Sequence, residues 1–165
     1  MEKHATMVDP RQPRLGQGIT GGVLLLGFLL DLPAALPILA AVLGGASLLG
    51  PSFNLYAHLF RALRGTGVLG PPRELEEAAP PRFANTVGFV FLTLAGLAWF
   101  GFDPPLAGGS AAWGLGLVVS ALALLAALTG LCPGCELYVW ARRLATGGRV
   151  RGRLVRPIEE AGRSG

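Results

Sequence analysis

Charge is what this sequence mostly does without. Between Leu15 and Gly50 the single charged residue is Asp31, and between Phe83 and Leu131 it is Asp103. Only 15% of the 165 residues are Asp, Glu, Lys or Arg, against 52% apolar, and the mean hydropathy is +0.53. Ordinary soluble domains carry about 25% charged residues, so the deficit argues for a lipid bilayer as the solvent of both runs. Histidine is nearly absent as well: His4 and His58 are the two there are, and neither stands at ligand spacing. The glycines from Gly65 to Gly70 lack a Gly-Lys-Ser/Thr ending, which removes a phosphate loop, and nothing else suggests a nucleotide or other cofactor site. No Ser-His-Asp order is present, and the lack of any strand-helix-strand pattern excludes a thioredoxin fold.

What is there is long apolar sequence. A span needs about 20 residues, and about 17 suffice in a thinner bilayer, so each run is long enough to cross twice. Pro and Gly punctuate helices, which places turns at Asp31-Leu32-Pro33 and over Phe102–Gly109. The expectation is an all-α integral membrane protein with four spans, near residues 15–31, 33–50, 83–101 and 111–131. The basic leader of the first span (Lys3, Arg11, Arg14) has a signal-peptide flavour, but no small-x-small cleavage site follows it, so the span is expected to be retained.

All 14 Lys and Arg residues lie outside these runs. With four spans every one falls on the same side: Lys3, Arg11 and Arg14 before the first, Arg61, Arg64, Arg73 and Arg82 between the second and third, and Arg142 onward after the fourth. The opposite loops hold only Asp31 and Asp103. The positive-inside rule then places both termini and the middle loop in the cytoplasm, with the chain multi-pass in the inner (plasma) membrane. The net charge of +4 is membrane topology rather than a nucleic-acid footprint.

The sequence also repeats itself. Pro13-Arg14-Leu15-Gly16-Gln17-Gly18-Ile19 matches Pro81-Arg82-Phe83-Ala84-Asn85-Thr86-Val87 in register. Leu49-Gly50-Pro51-Ser52-Phe53-Asn54-Leu55-Tyr56 matches Leu131-Cys132-Pro133-Gly134-Cys135-Glu136-Leu137-Tyr138, sharing Leu, Pro, Leu and Tyr. The organisation expected is a cytoplasmic segment 1–14, a first repeat 15–64, a cytoplasmic linker 65–80, a second repeat 81–145 and a basic, flexible tail 146–165. Each repeat is a helical hairpin followed by an interfacial amphipathic helix that begins at Pro51 or Pro133, since proline suits a first turn and disrupts an ongoing helix. An even number of spans per copy makes the repeats parallel, related by an axis along the membrane normal. The register also aligns polar residues: Gln17 with Asn85, Ser47 with Thr129, and Asn54 with Glu136. Such side chains hydrogen-bond across a bundle or line a cavity in it. Glu74, Glu76 and Glu77 of the linker read as solvated surface.

The only two cysteines, Cys132 and Cys135, break the symmetry, because the first copy has Gly50 and Phe53 there. With Cys132 at the N-cap, Pro133 at the first helical position and Cys135 one turn in, both sulfurs approach a helix N-terminus, where free N–H groups and the helix dipole favour thiolate. Glu136 is the adjacent proton acceptor. Three readings stay open: a dithiol cycling through disulfide or persulfide with a soluble thiol partner, half of a metal shell completed by Glu136, His58 or a second chain, or two small apolar residues.

The residues Val8-Asp9-Pro10-Arg11, Leu49-Gly50-Pro51 with Arg61, Pro71-Pro72-Arg73-Glu74-Leu75-Glu76 with Ala79-Pro80-Pro81-Arg82-Phe83-Ala84, and Cys132-Pro133-Gly134-Cys135-Glu136 resemble the bacterial and archaeal membrane proteins grouped as domain-of-unknown-function family 4395. The resemblance covers about residues 8–144, and the Cys-x-x-Cys-Glu ending is its most specific part. Pro133 departs from the bulkier apolar residue more usual between the cysteines. Members are membrane proteins of undetermined activity, some occurring beside thioredoxin-like or rhodanese-like proteins, which implies a place in thiol or sulfur metabolism. The function expected is thiol-disulfide exchange or sulfur relay at the inner membrane face, carried by Cys132, Cys135 and Glu136. The partners expected are the bilayer, a soluble thiol or sulfurtransferase protein and a second copy of the chain. The rival functions are a small-solute transporter lined by Gln17, Asn85, Ser47, Thr129 and Asn54, and an accessory subunit of a larger complex.

Overall fold

The computed structural model describes residues 7–49, 51–67, 74–101, 109–145 and 155–157. The turn expected over Phe102–Gly109 falls outside the described residues except for Gly109, as do Gly50 and most of the basic tail. The described chain is built of helices: α1 (Arg11–Leu29), α2 (Ala35–Gly44), α3 (Leu55–Gly65), α4 (Ala79–Phe100), α5 (Ser110–Thr129) and α6 (Pro133–Ala145).

Local chemistry explains their ends. Asp9 starts α1 by accepting the Arg11 N–H on its carboxylate at 3.0 Å. The turn after α1 passes through Asp31 at φ +50°, a left-handed conformation that Asp tolerates better than most residues. The end of α2 loosens into a π turn over Gly45–Leu49 and then a 3-10 turn over Pro51–Phe53. Pro51 has no N–H to offer the carbonyl four residues back, that of Ser47, and the Arg82 guanidinium donates to that oxygen instead at 3.1 Å. Asn54 then caps α3, accepting the Ala57 N–H at 3.0 Å. Gly130, at φ +76°, closes α5 in the left-handed geometry that glycine adopts without strain.

The two copies interlock. α1 packs chiefly on α5, and α2 on α4, so the first helix of each copy lies against the second helix of the other. Within the first copy, α1 and α2 touch far less. α3 returns onto α1 and α6 onto α4, each as a separate helix after its proline. Leu24, Leu36 and Leu92 are fully buried where α1, α2, α4 and α5 meet, with Trp113, Ala95 and Ala112 around them. Polar groups are found inside too: Ser120 Oγ donates to the Gly21 carbonyl at 2.7 Å, and the Thr20 and Tyr56 hydroxyls share a 2.6 Å hydrogen bond. Outside, large apolar side chains such as Leu26, Leu29, Ile38, Leu94, Leu97 and Leu128 are exposed. By length and composition α4 and α5 are able to cross a membrane, and the stretch Ala35–Leu49 is a shorter apolar helix.

One element has no counterpart in the sequence reading. Three short strands, β1 (Met7–Val8), β2 (Glu74–Glu77) and β3 (Val155–Pro157), form an antiparallel sheet in the order β1-β2-β3, with Val8 opposite Glu76 and Glu76 opposite Val155. The sheet gathers the segment before α1, the segment before α4 and part of the tail at one end of the helices.

The α1–α5 contact supplies a test. A side chain added at Gly21 would place its Cβ 2.6 Å from Leu124 Cγ and 3.0 Å from the Ser120 carbonyl oxygen, whereas one at Gly22 meets nothing within 4 Å. Gly21→Leu is therefore expected to destabilise the fold by about 1–3 kcal/mol, and Gly22→Leu to stay within about 0.5 kcal/mol of the parent. Thermal unfolding of the two variants in mild detergent measures the difference.

Candidate functional site

The two cysteines stand where the chain turns from α5 into α6. Gly130 ends α5, Leu131 N–H donates to Thr129 Oγ1 at 3.1 Å, and Cys132 becomes the cap of the next helix. Its carbonyl accepts the Glu136 N–H at 3.0 Å, and its sulfur accepts the Cys135 N–H at 3.3 Å. The sulfur thus takes the place of the oxygen that a Ser or Asp would offer at a helix start. Gln17 reaches across from α1 and donates its side-chain amide to the same sulfur at 3.4 Å. Both cysteines are free thiols and half-buried.

These contacts separate the two thiols. Cys132 is lowered to about 6, first because the Cys135 thiol donates to it, and then through the Cys135 N–H, the Gln17 amide and the Gly134 N–H, with burial opposing. Cys135 moves the other way. Its proton is held by the Cys132 sulfur and by burial, and the charges of Cys132, Glu76 and Glu136 oppose a further negative charge. Near neutral pH the pair therefore carries one thiolate, on Cys132, and one thiol, on Cys135.

Cys132 faces two spaces. On the side of the sheet lies a cleft of about 190 Å³ shared with Cys135, Glu136, Glu76, Glu77 and Arg14. On the side of the helices lies a smaller cavity of about 110 Å³ with mostly apolar walls, where Gln17, Thr20 and Asn85 are the polar members. Glu76 and Glu77 were expected on solvated surface, and the pairing of β2 brings both to the dithiol cleft instead. Glu77 is 20% exposed and takes an ion pair at 3.5 Å from Arg142. A linker of acids matched to an arginine-rich tail was the available sign, but no local pattern ties either to the cysteines.

The aligned polar residues divide. Gln17 contacts the Cys132 sulfur, and Asn85 lines the apolar cavity. Ser47 donates to the Leu43 carbonyl at 2.8 Å, and Thr129 donates to the Leu125 carbonyl at 2.7 Å, so both hydroxyls turn back onto their own helices. Asn54 is occupied as the cap of α3. His58 lies with α3 in the other copy, donating its Nε2–H to the Ser52 carbonyl at 2.8 Å. Among the described residues no three His, Cys, Asp or Glu side chains are grouped to hold a metal ion.

Residues 8–143 match the family model of a domain of unknown function, DUF4395. The chain belongs to that family. No curated protein and no solved structure matches it. In this DUF4395 chain the matched region takes in the first copy, all but the last two residues of the second, and the complete Cys132–Cys135 turn.

The asymmetry of the thiols has a pH signature. The rate of Cys132 alkylation by iodoacetamide, followed by peptide mass spectrometry, should rise with pH to a half-maximum near the value of about 6 and level off. Cys135→Ala should move that midpoint upward, and Gln17→Leu should move it upward by less, because the Cys135 thiol is the larger cause. A midpoint near the ordinary thiol value of 9.0 in the parent chain would contradict the assignment.

Proposed function

We propose that the chain is a four-span protein of the inner membrane whose Cys132–Cys135 dithiol works at the cytoplasmic face, in thiol-disulfide exchange or sulfur relay with a soluble thiol protein. The observation that carries the chemistry is the position of Cys132 at the start of α6, with hydrogen bonds from the Cys135 N–H and the Gln17 amide on its sulfur. A thiolate in that position is a nucleophile at neutral pH.

The membrane part rests on three supports. Hydroxyls are buried and satisfied inside while large apolar side chains cover the outside, the arrangement a bundle needs when hydrocarbon surrounds it. The sheet of β1, β2 and β3 gathers the segments flanking the repeats at one end, as an even number of crossings requires. All Lys and Arg residues belong to that same end when the chain crosses four times, which points it toward the cytoplasm.

In the exchange, the Cys132 thiolate attacks one sulfur of a partner disulfide. A mixed disulfide forms, and the other partner sulfur leaves as thiolate. Cys135 then gives up its proton, with Glu136 the adjacent carboxylate, and attacks the Cys132 sulfur. The Cys132–Cys135 disulfide closes and the second partner sulfur is released, so the partner is reduced by two electrons and the pair is oxidised by two. In sulfur relay the same Cys132 thiolate attacks the outer sulfur of a partner persulfide; that S–S bond breaks, the sulfane sulfur stays on Cys132 as a persulfide, and the partner cysteine leaves as thiolate.

Removing Cys135 removes the resolving step, so Cys135→Ala incubated with an oxidised thioredoxin-like protein should accumulate a mixed disulfide visible on non-reducing gels, and Cys132→Ala should form none. A membrane-impermeant maleimide should label the pair in permeabilised cells at least tenfold more than in intact spheroplasts. Absence of a mixed disulfide in both variants would defeat the exchange, and labelling in intact spheroplasts would defeat the orientation.

A further inference from the structure

The repeat predicts a second cleft, and the structure has one. Pro13 and Pro81 line both clefts, and around them the residues exchange in register. Where the dithiol cleft has Arg14, Gln17 and Glu136, the cleft of the first copy has their partners Arg82, Asn85 and Asn54. The second cleft is the larger, about 420 Å³ against about 190 Å³.

Their charges are opposite. The dithiol cleft holds Glu76, Glu77 and Glu136 against one arginine, whereas the larger cleft is lined by Arg61, Arg82 and His58, with no acid in its lining among the described residues. Neither arginine meets a carboxylate among the described residues. Arg82 donates to the Ser47 carbonyl at 3.1 Å, and Arg61 contacts the Ala57 carbonyl and His58 Nδ1, the latter at 2.9 Å. Carbonyl dipoles orient a guanidinium without cancelling its charge. Each of these arginines has five N–H donors, so donors remain after the contacts made here. The amides of Gln12 and Asn85, also in the lining, add neutral donors.

We propose that this cleft, framed by α1, α3 and α4, binds a phosphate-type oxyanion, with Arg61 and Arg82 as its two charged holders. Two guanidinium groups lining one cleft, with amide donors and no carboxylate partner among the described residues, suit a tetrahedral anion with several acceptor oxygens. The site goes beyond the dithiol chemistry and does not depend on it. The oxyanion has two sources at this level of the fold, a free anion from the cytoplasm or the headgroup of an anionic lipid.

The full-length chain in phosphatidylcholine nanodiscs, titrated calorimetrically with inorganic phosphate, gives the first arm, and retention of phosphatidic acid by the detergent-purified chain in native mass spectrometry gives the second. Saturable binding in either arm, weakened at least tenfold by Arg61→Gln and by Arg82→Gln but not by Arg14→Gln in the opposite cleft, supports the site and identifies the source. Arg82 also holds the Ser47 carbonyl, so the Arg61→Gln result decides if Arg82→Gln fails to fold. No saturable binding in either arm, or an equal loss with Arg14→Gln, overturns the proposal, while the mixed-disulfide experiment on Cys135→Ala stands or falls separately.

Discussion

The close approach of α1 to α5 is the constraint on which the rest of the structure depends. Ser120 donates to the Gly21 carbonyl at 2.7 Å there, and Gly21 leaves no room for a side chain against Leu124. Cross-helix hydrogen bonds inside membrane bundles average only about 0.6 kcal/mol, so this bond contributes little energy by itself. Its importance is positional. Gln17 lies one turn before Gly21, and α5 continues from Ser120 to the turn that carries Cys132. Fixing the two helices at their midpoint fixes the amide of one against the sulfur of the other, 3.4 Å apart.

Interlocking the copies makes both clefts joint products. Neither repeat could form its own, because Gln17 belongs to the first and Cys132 to the second, and in the mirror position Asn85 belongs to the second and Asn54 to the first. The two copies supply equivalent frames: a proline at or before the start of the last helix of each copy, an arginine one residue after another proline, an amide one turn on. What fills them differs. Cys132, Cys135 and Glu136 stand where the first copy has Gly50, Phe53 and Asn54, so one cleft has sulfur and negative charge, while the other is lined by cations and, among the described residues, no acid. The same backbone arrangement thus presents two chemistries a short distance apart.

Much of this was legible in the sequence because it depends on local rules. Gaps in charge located the apolar helices to within a few residues, and Pro133 marked the start of α6, whereas Pro51 opens only the 3-10 turn and α3 begins four residues later, at Leu55 behind its Asn54 cap. Cys132 as a cap followed from Cys-Pro and the helix that comes after it. Two features were not legible. The pairing of α1 with α5 rather than α2 leaves no periodic trace, since helices apolar on every side show no preferred face. The sheet is built from strands of two to four residues drawn from three distant segments, too short for alternation to be read. That is why Glu76 and Glu77, unremarkable in a linker, were not placed beside the cysteines. Ser47 and Thr129 align, and both turn back in the same way, because a hydroxyl on the β-carbon reaches its own helix carbonyl first.

The distribution of charge around the pair also orders the proposed reaction in time. Cys135 keeps its proton while Cys132 is a thiolate, because that neighbouring charge and the hydrogen bond to it are among the causes that hold the proton in place. Once Cys132 has bonded to a partner sulfur, it is neutral and a poorer acceptor, so both causes weaken together. Burial and the carboxylates of Glu76 and Glu136 remain, which keeps Cys135 from ionising freely. In the proposed exchange the resolving thiol is therefore easier to deprotonate once the mixed disulfide has formed than it is in the idle pair. A pair of identical side chains three residues apart acquires two opposite proton affinities from its surroundings: a helix start that stabilises one negative charge, and acids across the cleft that discourage a second.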